Sequence, residues 1–135
     1  MLFTACVFLL LGSAQSSVTD CSKSTAVFSL TSLSFAPDPP VKGQNSTLLL
    51  SMDVPTEVSG GTVRYSVTYN FIPLSPTTED LCTVAPGGCP IRPGTLDTVS
   101  SIPFDGSLSG SITFKIEWKD LSEAQLMCVS IKTTV

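Results

Sequence analysis

Val63, Tyr65, Val67, Tyr69 and Phe71 alternate with Arg64, Ser66, Thr68 and Asn70 along Thr62–Ile72. Apolar residues on every second position do not fit a helix, whose buried stripe recurs every three or four residues. They require an antiparallel strand with one face buried and the other in water. Such a strand cannot bury its face alone, so other stretches of the chain must supply partners and a second layer. Ser109–Lys119 repeats the pattern, with Ile112, Phe114, Ile116 and Trp118 inward and Thr113, Lys115, Glu117 and Lys119 outward.

Further strands follow from weaker versions of the same signal. Ser46–Val54 sets Leu48, Leu50 and Met52 against Leu49, Ser51 and Asp53. Leu126–Thr134 carries Met127, Val129 and Ile131 on one face and Leu126 and Cys128 on the other. In Thr25–Phe35, Phe28 and Leu30 share one parity while Leu33 and Phe35 share the other, which predicts a bulge near Thr31–Ser32. Thr95–Ile102 is a more modest strand, and Thr77–Asp80 fits one helical turn. Pro37-Asp38-Pro39-Pro40, Lys42-Gly43, Ser59-Gly60-Gly61, Pro73, Pro76 and Pro103–Gly106 separate these blocks. Six or seven short strands with almost no helical periodicity read as an all-β fold, an immunoglobulin-like antiparallel β-sandwich of two sheets.

Leu81–Gly94, reading LCTVAPGGCPIRPG, interrupts the strands. Its proline and glycine content prevents a continuing helix or central strand. Cys82 and Cys89 lie close enough there to be bridged with little strain, so the stretch reads as a stapled loop. Residues 1–16 read as a cleaved signal peptide: an apolar run, MLFTACVFLLLG, too short to span a membrane, then Ser13, Ala14, Ser16 and Ser17. The remainder, 17–135, is one domain. Cleavage removes Cys6 and leaves Cys21, Cys82, Cys89 and Cys128, an even number suited to two disulfides in an oxidising compartment. Four cysteines allow three connectivities, and spacing does not choose among them. Asn45-Ser46-Thr47 is an N-glycosylation sequon, consistent with secretion.

The same residues exclude several chemistries. The chain has no His, so there is no Ser-His or Cys-His nucleophile and no histidine base. No Cys-x-x-Cys pair is present, so no metal site or cofactor is expected. Glu79, Asp80 and Asp97 are carboxylates near the stapled loop, with nothing in their spacing that demands glycosidase-like chemistry. No catalytic residue is therefore assigned, and the chain is not read as an enzyme. Lys and Arg are scattered singly against a net charge of −4, which gives neither a nucleic-acid footprint nor a polybasic membrane patch. The large inward faces fit either a packed core or two sheets splayed around an apolar ligand; composition does not separate these.

From about Leu33 to Ile131 the chain resembles the ML-domain lipid-recognition family. That family includes the Niemann–Pick type C lysosomal sterol carrier and the fungal phosphatidylglycerol/phosphatidylinositol transfer proteins. The resemblance rests on Leu33-Ser34, Pro37-Asp38-Pro39-Pro40 with Lys42-Gly43-Gln44, Gly61-x-Val63, Asp80-Leu81-Cys82, Cys89-Pro90-Ile91 with Pro93-Gly94, and Leu126-x-Cys128. It implies disulfides Cys21–Cys128 and Cys82–Cys89. The third disulfide of the sterol-carrier branch has no cysteines here. It also implies a lipid cavity between the sheets that holds one sterol or phospholipid, tail inward, for transfer between membranes, with transient membrane contact and a possible membrane-protein acceptor. The alternative within the family is an extracellular lipid-recognition co-receptor of the innate-immune type; outside it, an ordinary packed immunoglobulin-like domain. On this reading Val63, Tyr65, Val67, Tyr69, Ile112, Phe114, Ile116 and Trp118 form the cavity wall. Phe71, Ile72, Leu74 and Ile91 form its mouth.

Overall fold

The computed structural model describes residues 15–135; residues 1–14 of the expected signal peptide, Cys6 among them, lie outside the described residues. Nine strands and one helical turn follow in the order β1 (Ser17–Asp20), β2 (Ser29–Ala36), β3 (Asn45–Val54), β4 (Gly61–Tyr69), β5 (Ile72–Pro73), β6 (Thr77–Asp80), α1 (Leu81–Val84), β7 (Gly94–Pro103), β8 (Ser111–Asp120) and β9 (Gln125–Thr134). They form two antiparallel sheets packed face to face. The larger runs β1-β9-β8-β4, with β5 and β6 both paired to the far edge of β4; the smaller runs β2-β3-β7.

The two cleanest alternations are neighbours. Val63 lies opposite Trp118, Tyr65 opposite Ile116, Val67 opposite Phe114 and Tyr69 opposite Ile112. Each pair unites two inward side chains of one face, the unit from which a sheet draws its packing. Leu48, Leu50, Met52 and Val54 of β3 are buried on the facing sheet, and Met127, Val129 and Ile131 of β9 are buried beside β8 in the larger one. The β2–β3 register slips between Leu30 and Ser32, the bulge that the change of parity in β2 demanded.

Three elements differ from the sequence reading. β4 ends at Tyr69, because Asn70 and Phe71 take positive φ (47° and 66°) and turn the chain back into β5. Asn tolerates that conformation and is held there: its backbone N–H donates to the Ser111 carbonyl, its Nδ2 donates to the Ser109 carbonyl, and its Oδ1 accepts from the Ser111 N–H. The apolar-polar alternation runs straight through this turn and conceals it. Thr77–Asp80 is a strand rather than a helical turn; the turn of helix comes one step later, at Leu81–Val84, where the Asp80 carboxylate accepts from the Cys82 N–H at its start.

The third difference is β9, which is buried on both faces from Gln125 to Val129. The N-terminal segment covers its outer side. Cys21 is bonded to Cys128, the Val27 and Phe28 N–H groups donate to the carbonyls of Gln125 and Leu126, and β1 pairs with β9, Asp20–Ser17 against Val129–Lys132. The bridge spans 107 residues of sequence, which in the chain-entropy model stabilises the fold by roughly 4–5 kcal/mol. Cys82 is bonded to Cys89.

Gly61 opens β4 where the backbone meets the end of β8 most closely. A Cβ there would overlap the Lys119 carbonyl oxygen and crowd Asp120 Cα, both rigid backbone atoms. Gly61→Ala is expected to destabilise the domain by about 1–3 kcal/mol, the usual size of an overpacking defect, in chemical denaturation. A midpoint within error of the parent would show that this approach is not a constraint.

Candidate functional site

The sheets do not close along their whole width. Where β4 and β8 face β7, a cleft of about 460 Å³ lies between them. One wall is Tyr65, Val67, Phe114 and Ile116; the other is Ser100, Ser101, Ile102 and Pro103; Thr83 and Val84 of α1 and Glu79 of β6 complete the rim. A smaller hollow of about 80 Å³ shares Tyr65, Val84, Ser100 and Ile116 with it and adds Leu50, Pro86, Thr98, Trp118 and Met127.

The cause is visible in two neighbouring strands of the facing sheet, β3 in its middle and β7 at its edge. β3 sends Leu48, Leu50 and Met52 inward, and they reach the opposite layer. β7 lies in register beside it, with Ser100 opposite Leu48 and Thr98 opposite Leu50. Its inward parity therefore reads Leu96, Thr98, Ser100, Ile102, and the two short hydroxyl residues leave space that large apolar residues would fill. Aromatic pairs lie beside this space. Phe114 meets Phe104 edge-on at 5.7 Å, and Trp118 meets Phe28 edge-on at 6.5 Å.

The rim carries one polar pair. The Tyr65 hydroxyl donates to Glu79 Oε2 at 3.2 Å. Burial of the phenol, then the adjacent Glu79 charge and its hydrogen bond, push Tyr65 up to about 12. The Tyr69 hydroxyl is committed elsewhere: it donates to the Ser109 carbonyl and accepts from the Ser109 N–H.

The residues expected to form the cavity fall into three groups. Tyr65, Val67, Phe114, Ile116 and Trp118 line the cleft or its inner hollow. Val63 and Ile112 are fully buried core, and Tyr69 packs against that core outside the cleft lining. Of the expected mouth, Ile91 is buried, 4% exposed, and exchanges two backbone hydrogen bonds with Val58 in an isolated bridge, away from the rim. Phe71, Ile72 and Leu74 are instead strongly exposed, Phe71 at 87%. They sit on the β4–β5 hairpin, where the Leu74 N–H donates to the carbonyl of Val67, a cleft residue. The stapled loop does border the cleft, through Thr83, Val84 and Pro86 rather than through Ile91. Asn45 is exposed at the start of β3.

The sequence reading missed Thr98, Ser100, Ile102 and Pro103. Their signal was available: a strand whose inward parity pairs hydroxyl residues with apolar ones cannot fill a dry core, and hydroxyl groups seldom lie inside without a use. Among the described residues no group of three or more His, Cys, Asp or Glu side chains could hold a metal ion.

Comparison with known proteins gives this geometry a context. Residues 15–135 match the family model of the ML domain. A Dictyostelium discoideum protein named "Putative phosphatidylglycerol/phosphatidylinositol transfer protein 2" is 29% identical over 111 residues, which are 80% of this chain and 78% of the relative. A second protein of that organism and naming is 30% identical over 115 residues, 83% of this chain and 81% of its own. Among solved structures, a Niemann-Pick type C2 protein from Japanese carpenter ant superposes with a TM-score of 0.68 at 11% identity, covering 87% of this chain and 98% of that one. Chicken MD-1 complexed with lipid IVa gives 0.62 at 12% identity, covering 88% of each chain. At those identities the two structures establish a shared fold.

The Tyr65–Glu79 pair predicts an alkaline response. The phenol's folded pKa lies above its unfolded value near 10. Its contribution to stability is therefore complete below about pH 10 and is lost as pH rises through about 12. Tyr65→Phe should remove a late tyrosinate step from an ultraviolet pH titration and flatten the loss of stability across that window. A late step that persists in the variant would assign the shift to another group.

Proposed function

The chain belongs to the ML-domain family, and on that footing we propose that it holds one lipid, a phospholipid or a sterol, between its sheets and transfers it between membranes. The observation that carries this reading is the 460 Å³ cleft, walled by Tyr65, Val67, Phe114, Ile116 and Ile102 and open on one side. Its volume lies within the range of small-molecule sites, and its walls offer apolar contact with a few polar groups at the rim. The names of the Dictyostelium relatives support a phospholipid, and the lipid IVa held by chicken MD-1, which shares this fold, supports a lipid of some kind.

The physical service of such a carrier is to hide a tail. Exposing about sixteen carbons to water costs roughly 13 kcal/mol at about 0.8 per methylene. Here the tail enters between β4–β8 and β7, and the headgroup stays at the rim beside Glu79 and Tyr65. Trp118 closes the inner end, while Val63, Ile112 and Tyr69 flank the wall on the same inward sheet face. Two disulfides and an exposed sequon at Asn45 support secretion or delivery to a lumenal compartment.

Loading requires that the rim meet a bilayer. The β4–β5 hairpin supplies the contact: Phe71, Ile72 and Leu74 are exposed apolar groups on a rigid turn whose return strand is bonded to the cleft wall at Val67. The same exposed hairpin is what favours the second reading, a recognition module that docks a receptor. Vesicle binding by the isolated protein separates the two.

Native mass spectrometry of secreted protein should find one phospholipid or sterol per chain, and the protein should move that lipid between vesicles. Lipid-free preparations that also fail to transfer would overturn the proposal. Phe114→Asp places a charge in the wall and should weaken lipid binding at least about tenfold while near-ultraviolet circular dichroism stays native. Undiminished binding by the folded variant would remove Phe114 from the wall. Phe71→Ser should leave stability within about 0.5 kcal/mol, as surface changes do, yet slow vesicle-to-vesicle transfer several-fold. An unchanged transfer rate would exclude the hairpin from membrane contact.

A further inference from the structure

Basic residues that lie singly along the sequence are brought together by the larger sheet. On its outward face, register sets Thr68, Thr113, Lys132 and Ser17 side by side in one row. The next row holds Ser66, Lys115, Ser130 and Thr19. Lys132 stands opposite Thr113, two residues from Lys115, so the two lysines are diagonal neighbours at a spacing of about 7–8 Å. Both are exposed, and neither row contains a carboxylate. The third row brings Arg64 opposite Glu117. That carboxylate is already occupied: it accepts from Gln125 Nε2 at 2.6 Å and lies 3.7 Å from Lys119 Nζ.

Composition does not force this arrangement. The chain has eleven acidic residues for seven basic ones, enough carboxylates to pair every cation. Among the described residues the one ion pair is Lys119–Glu117, and Lys115 and Lys132 have none. A positive, hydroxyl-lined face thus persists on a chain of net charge −4. At physiological ionic strength charges are screened over about 8 Å, so a surface brought against this face meets its lysines rather than the charge of the whole chain. The face also continues into the exposed hairpin: Phe71 lines one open hollow of about 380 Å³ together with Lys132, Thr113, Ser17 and Ser111.

Resting on the reading that this protein exchanges lipid with membranes, we propose that the outward face of the larger sheet, with Lys115 and Lys132 beside the Phe71 hairpin, docks on anionic phospholipid bilayers in preference to neutral ones. Phe71 enters among the headgroups, the lysines meet phosphate oxygens, and the serine and threonine hydroxyls donate to the same oxygens. A bilayer fits this face better than an acidic protein does. Phe71 protrudes, 87% exposed, and a fluid layer closes around a protruding ring, whereas a protein would need a pocket matched to it.

The test is cosedimentation of the full secreted chain with phosphatidylcholine vesicles and with vesicles of equal parts phosphatidylcholine and phosphatidylserine. The parent should bind the anionic vesicles at least about tenfold tighter, and the preference should fade as salt is raised. Lys132→Gln and Lys115→Gln should each weaken anionic binding about fivefold, the usual effect of one cation near such a surface. Lys132→Arg keeps the charge and should bind as the parent does. Equal binding to both vesicles, binding to neither, or anionic binding unaltered in both Gln variants overturns the docking face. Lipid carriage is read separately: Lys132→Gln, remote from the cleft lining, should still carry its lipid in native mass spectrometry. A parent that binds anionic vesicles but never holds or transfers a lipid overturns carriage and leaves the docking face standing.

Discussion

The sandwich is filled along β3 and left open along β7, and the rest of the molecule is arranged around that difference. The two strands are register neighbours with the same length of inward face. Leu48, Leu50 and Met52 on one reach across to the larger sheet; Thr98 and Ser100 on the other do not. Apolar burial drives the layers together where side chains meet and offers nothing where they do not. A cleft on one flank of the sandwich is the consequence, with no need for a separate domain or lid.

An opening of that kind weakens a small domain, and the fold distributes the loss. The larger space is open to solvent, so the cost of a dry void falls only on the inner hollow of about 80 Å³. At about 24 cal/mol per Å³ a rigid empty space of that size costs roughly 2 kcal/mol. Against this stand a closed core from Phe28 to Ile131 and the Cys21–Cys128 bridge, which ties the N-terminal segment across β9. The bridge lies on the β1 side of the larger sheet, where Cys128 is the register partner of Glu117 of β8. The Cys82–Cys89 bridge closes only seven residues of sequence and acts locally, holding α1 and Pro86 against the cleft.

The free edge of β4 shows how local turns place chemistry. β5 and β6 pair with it in succession, so one strand edge is covered by two short pieces of chain. β6 brings Glu79 to the Tyr65 hydroxyl at the rim. β5 carries the exposed Phe71–Leu74 hairpin back to Val67. Polar and apolar features of the rim thus both depend on the turn at Asn70–Phe71.

Alternation alone made the two-sheet architecture, the bulge in β2 and the inward residues of β3, β4 and β8 legible, because a period of two follows directly from strand geometry and burial. The composition of Leu81–Gly94 likewise announced a turn-rich loop, since Pro and Gly act on the backbone locally. Which inward residues face a partner and which face open space was not legible. Val63 and Tyr65 share a strand face and an alternation, yet one is core and the other rim. Ile91, in the stapled loop, packs against Val58, while its loop neighbours Val84 and Pro86 meet the cleft. The sequence by itself determined the strands, their faces and the layer class. Only the tertiary structure decided where the cleft lies, because a void depends on what stands opposite each side chain, and pairing β3 with β7 across some fifty residues is a non-local event that no local pattern records.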